Sequence, residues 1–110
     1  MALFRTFLIV ALVVLLVYTG VVMQNHGTDL FSVFFGDMAA LTWAGQFNLD
    51  FMLMLMISGL WVAWRNQFSV SGMALGLLAF VGGAMFLTLY LLYLLSITKG
   101  DIKDLLVGDN

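Results

Sequence analysis

Asp50 opens a stretch otherwise suited to lipid, Phe51-Met52-Leu53-Met54-Leu55-Met56-Ile57-Ser58-Gly59-Leu60-Trp61, and it closely follows Gln46 and Asn48. A carboxylate at the centre of a membrane helix costs roughly 2.5–3.5 kcal/mol on insertion scales, so such a group normally faces protein, water or a ligand. Its possible chemistry is that of a proton acceptor, a ligand anchor or a counter-ion. With a rise of ~1.5 Å per residue, Asp50 lies roughly 22 Å from Arg65 along one helix, too far for an ion pair. The same depth on two neighbouring straight spans falls near Tyr18 and Thr19, and near Thr88 and Tyr90, with Gln46, Tyr93 and His26 further out. The candidate ligand-binding set is therefore Asp50, Asn48, Gln46, Tyr90, Tyr93, Tyr18 and Thr88. In the alternative, the hydroxyls and Asn48 only satisfy a carboxyl group that fixes helix packing.

Other chemistries find less in these residues. The chain has no cysteine, which excludes disulfides, thiolate metal sites and thiol nucleophiles. Its one histidine, His26, cannot by itself supply the usual multi-ligand metal set. No GxSxG-type nucleophile motif is present. Met52, Met54 and Met56 alternate and do not share one helical face, so they read as ordinary span residues. No metal is expected, and the residues specify no particular cofactor.

The elements that position Asp50 follow from composition. Of 110 residues, 64% are hydrophobic and 9% charged, where an ordinary soluble domain carries about 25% charged residues. A chain this short has too high a surface-to-volume ratio to hide that much apolar surface from water, so the bilayer is the expected solvent. The net charge of -2 offers no basic footprint for nucleic acid. The expected fold is one all-α membrane domain over 1–110, with spans at about 3–23, 45–64 and 72–97. An aromatic-rich interfacial segment at about 30–44 and a short polar tail at 98–110 complete it. A signal peptide is the rival for the first stretch, but its apolar run continues to Met23 and no small-x-small cleavage site follows. A buried or re-entrant fourth segment is the alternative for 30–44.

In the three-span arrangement Arg5 and Arg65 share one side and Lys99 and Lys103 the other, so the positive-inside rule nearly ties. The absence of Lys and Arg from 24–47 favours an N-terminus in the cytoplasm and a C-terminus outside. A fourth span would instead gather Arg5, Lys99 and Lys103 on one side.

Gly72, Gly76, Ala79 and Gly83 recur at helical spacing and line one face of the third span with small residues, which lets backbones approach closely. They are the candidate helix-packing set, for contacts within the chain or for a seam with a partner.

The layout is similar to a family of small bacterial integral membrane proteins catalogued as a domain of unknown function. The matching features are an N-terminal span, an aromatic-rich segment, a second span opening with Asn48-Leu49-Asp50, and a third containing Met85-Phe86-Leu87-Thr88-Leu89-Tyr90-Leu91. The resemblance implies a small helical protein of a bacterial inner membrane and no known activity. The leading expectation is a non-enzymatic accessory or assembly subunit of a larger inner-membrane complex, with a membrane-protein partner or a homo-oligomer. The alternative is a binder or carrier of an apolar small molecule, such as a quinone, isoprenoid or lipid, held at Asp50. An enzyme using Asp50 as acid or base would need a second catalytic group from a tyrosine or a partner.

Overall fold

The computed structural model describes residues 2–110, and the described residues form helices and connecting turns only. In chain order these are α1 (Ala2–His26), α2 (Leu30–Ala39), α3 (Trp43–Arg65), α4 (Val70–Thr98) and α5 (Ile102–Val107). By length and composition, α1, α3 and α4 are long and apolar enough to cross a membrane. Of the 30–44 segment, Leu30–Ala39 form the ten-residue α2, roughly 15 Å long and too short to cross, and Trp43 and Ala44 already belong to α3.

Short polar residues set the helix starts. Thr42 accepts from the Gly45 amide, Ser69 from Gly72 and Asp101 from Asp104, each satisfying one otherwise orphaned N–H of a first turn. Residues with positive φ set several ends. Gly27, at φ 77°, donates its amide to the Met23 carbonyl and closes α1. Lys99 adopts the left-handed conformation at the end of α4.

α4 departs from a straight span. Gly83 has φ 59° and ψ -141° and interrupts the helix. Before it, α4 runs antiparallel to α3: a Cβ on Gly76 would lie 2.8 Å from the Gly59 carbonyl oxygen, and one on Gly83 would lie 3.2 Å from the Phe51 ring. Beyond it the chain returns. The Tyr90 hydroxyl accepts from Asn66 Nδ2 at 2.9 Å, and its ring lies 6.1 Å from that of Trp61. A straight helix over these 29 residues would be roughly 43 Å long and would carry Tyr90 away from the Asn66 end of α3. α4 is therefore a helical hairpin whose limbs, 70–82 and 84–98, both stand beside the C-terminal half of α3.

The core follows from this reversal. Leu8, Val62, Ala79, Tyr90, Leu94, Leu95 and Leu105 form one buried cluster that draws on α1, on α3, on both limbs of α4 and on α5. α2 folds back along the N-terminal half of α3, where Asn48 Nδ2 donates to the Phe34 carbonyl at 3.1 Å. Gly45 packs directly on the Asp37 backbone.

The small residues of α4 are engaged inside the chain. Gly72, Gly76, Ala79 and Gly83 are all buried. Gly76 and Gly59 form a glycine pair in which each would overlap the other's carbonyl if given a Cβ. Gly76→Ala is expected to lower the stability of the folded chain by about 2 kcal/mol, because a rigid backbone oxygen must move. Denaturant titration in detergent with circular dichroism checks it, and an unchanged midpoint would mean that α3 and the first limb of α4 part without cost.

Candidate functional site

The predicted site residues do not converge. Asp50 is exposed on α3, and no hydrogen bond or ion pair joins its carboxylate to any described residue. Gln46 is exposed one turn earlier, while Asn48 is half-buried and committed to the Phe34 carbonyl. Tyr18 is 70% exposed on α1 and Tyr93 is 59% exposed on α4. Thr88 is buried, and its hydroxyl donates within its own helix to the carbonyls of Ala84 and Met85.

Tyr90 corrects the depth expected from a straight third span. It is 7% exposed, stacked on Phe86 with ring centroids 5.6 Å apart, and hydrogen-bonded to Asn66. Asp50 lies about 15 residues before Arg65 on the same helix, so Tyr90 and Asp50 occupy opposite halves of α3. The positive φ of Gly83 is the physical reason, since counting residues along α4 assumes no reversal.

Asp50 instead belongs to an outward face of α3. Trp43, Phe47, Met54 and Ile57 flank it at alternating spacings of four and three residues, and all are exposed. This periodicity matches the repeat by which one helix packs along another. A lone carboxylate thus interrupts an apolar seam that no described residue covers.

A second concentration of charge sits at the other end of the bundle. Arg65 is 8% exposed. Its Nε donates to the Leu105 carbonyl at 2.6 Å and its Nη2 to Asp104 at 3.1 Å. Trp61 Nε1 donates to Leu106 at 2.9 Å, and Asn110 Nδ2 returns a bond to Trp64 at 2.8 Å. The tail is thereby folded onto α3 rather than loose. Arg5 and Lys99 line one shallow cleft between α1 and the end of α4. With Lys103 on α5, all four Lys and Arg residues lie at this end. The expected division of Arg5 and Arg65 from Lys99 and Lys103 is thus replaced by a single basic end. That grouping was the consequence expected of a fourth span, but here the hairpin of α4 produces it.

Reading the sequence alone overlooked Arg65, Asn66 and Trp61 as parts of one network. The adjacent glycines Gly82 and Gly83 in mid-span were the available signal, because paired glycines are a recurrent cause of sharp helix bends. Among the described residues no group of three or more His, Cys, Asp or Glu is placed to hold a metal ion.

Comparison of the chain with protein-family models, with curated proteins and with solved structures finds no match in any of the three.

Proposed function

We propose that the chain is a small non-enzymatic module of a bacterial inner membrane, an accessory or assembly subunit that docks on a larger membrane complex through α3. The supporting observation is the exposed Asp50 carboxylate, unpartnered by any described residue, in the middle of an apolar helical face. A carboxylate facing lipid costs several kcal/mol, and a cation or hydrogen-bond donor on a neighbouring helix offsets that cost. A second copy of this chain in the same orientation offers no such cation, because all four Lys and Arg residues sit at the other end. The partner is accordingly a different membrane helix with a cationic side chain level with Asp50. In this reading the positive-inside rule sets the basic end, with residues 2 and 110, in the cytoplasm. α2 then lies near the opposite boundary, its exposed Phe31 and Phe35 against lipid.

The test is native mass spectrometry of the protein extracted gently from its own membrane. A second polypeptide at fixed stoichiometry is expected, with its retention reduced at least about tenfold in Asp50→Asn, the loss of one buried charge pair. The unfolding midpoint of the isolated chain is expected to stay unchanged, since Asp50 has no partner among the described residues. Full retention in the variant would remove Asp50 from the interface. A bound small molecule without a second chain would move the assignment to the binder or carrier of an apolar ligand.

A further inference from the structure

We infer that the cleft between the start of α1 and the end of α4 binds the phosphate of an anionic phospholipid. The cleft has a volume of about 570 Å³ and is lined by Ala2, Arg5, Thr6, Lys99 and Gly100. Two cations far apart in sequence thus meet across one opening, with a hydroxyl beside them and no carboxylate in the lining. The nearest acid in sequence to Lys99, Asp101, is occupied at the start of α5, where it accepts from the Asp104 amide. Cations held close together without an acid between them repel each other, and an anion removes that repulsion.

The backbone fixes where the lysine leaves α4. Lys99 has φ 53° and closes α4 in the left-handed conformation. Glycine is the usual residue there, because a Cβ is disfavoured in that region. Gly100 follows at once with φ 83° and adds no side chain to the cleft.

Three exposed apolar residues beside the cleft favour a lipid over free phosphate. Ile9, Val10 and Val13 follow Arg5 and Thr6 along α1 at helical spacings of three and four, so they continue the face that lines the cleft, and all three are exposed. They offer a track for acyl chains along the bundle while the headgroup rests between the cations. The cleft also lies at the basic end, where Trp61 and Trp64 end α3, and tryptophans of this kind mark the headgroup level.

The experiment titrates the delipidated full chain in neutral detergent with phosphatidylglycerol or phosphatidylcholine, read by native mass spectrometry. A one-to-one phosphatidylglycerol adduct is expected, with phosphatidylcholine held more weakly. Arg5→Gln and Lys99→Gln should each weaken the adduct by about fivefold, the effect of one cation near an anionic headgroup. Arg5→Lys should retain it. Lys103→Gln, a cation outside the cleft, should leave it unchanged. Arg5, Lys99 and Lys103 are exposed, so circular dichroism should show the fold intact in each variant. Three results would overturn the inference: Lys103→Gln weakening the adduct as much as Lys99→Gln, equal binding of phosphatidylcholine, or displacement by excess inorganic phosphate. The first would reveal diffuse attraction, the second a merely apolar groove, and the third a free-phosphate site.

Discussion

Gly83→Ala is expected to destabilise the folded chain by about 3 kcal/mol, the upper end of the range for a residue forced into backbone space open chiefly to glycine. The position combines two penalties. Its φ of 59° with ψ -141° disfavours any Cβ, and that Cβ would approach the Phe51 ring to 3.2 Å and Leu55 to 3.3 Å. The variant also has a way out that an ordinary core substitution lacks, because 84–98 can continue in line with 70–82 as one straight helix. The expected result is therefore a change of shape as well as of stability. The chain contains no cysteine, so Ser71→Cys and Ser96→Cys provide a pair of spin-label sites on exposed residues. In the native hairpin their separation should be about 20 Å or less, given that packed helices lie ~8–10 Å apart. A straightened helix would set them roughly 38 Å apart. An identical distance distribution in Gly83→Ala would show that the reversal is maintained without glycine.

Arg65→Ala is expected to cost about 4 kcal/mol in the docking of the tail. The guanidinium makes two hydrogen bonds to carbonyls of α5, and bonds from charged donors are worth about 1.5–3 kcal/mol each. Its position also suits a cation, since carbonyls near a helix C-terminus carry partial negative charge. Gly108, at φ 60°, packs against the same side chain, where a Cβ would lie 3.4 Å from the guanidinium carbon. Removing the arginine strands the Leu105 carbonyl, while that of Asp104 keeps the Gly108 amide. Hydrogen exchange should report it, with amides of 102–110 losing protection while those of α1 are unaffected. Uniform loss of protection across the chain would mean instead that Arg65 supports the whole bundle.

The all-helical architecture was legible because three apolar stretches leave a bilayer as the only adequate solvent. The capping residues Thr42, Ser69 and Asp101 lie in plain view before their helices. The course of α4 was less legible. The run from Gly72 to Ile97 is apolar without interruption, and its length suits a tilted crossing as well as two short limbs. Only φ at Gly83 distinguishes them, and glycine tolerates both conformations. The error then propagated to Tyr90, whose depth depends on the residues before it. Asp50 was conspicuous because a carboxylate stands out in an apolar run. Its company was not, because rotation about a helix axis leaves little trace in a sequence this uniformly apolar. The Arg5–Lys99 cleft was hidden for a related reason: it joins residues from opposite ends of the chain.

The seat of α1 has a consequence for the order of events during synthesis. Leu8 is the one buried residue of that helix, and it belongs to the cluster that contains Leu94 and Leu95. A ribosome delivers α1 well before the seat that holds it. Until the seat is made, α1 waits in lipid as a solitary rod, while α2 and α3 pair locally behind it. Completion of the returning limb of α4 both ends the hairpin and captures α1. Closure of the bundle thus joins α1 to residues made much later than itself, and a chain stalled before Leu94 would leave α1 unattached.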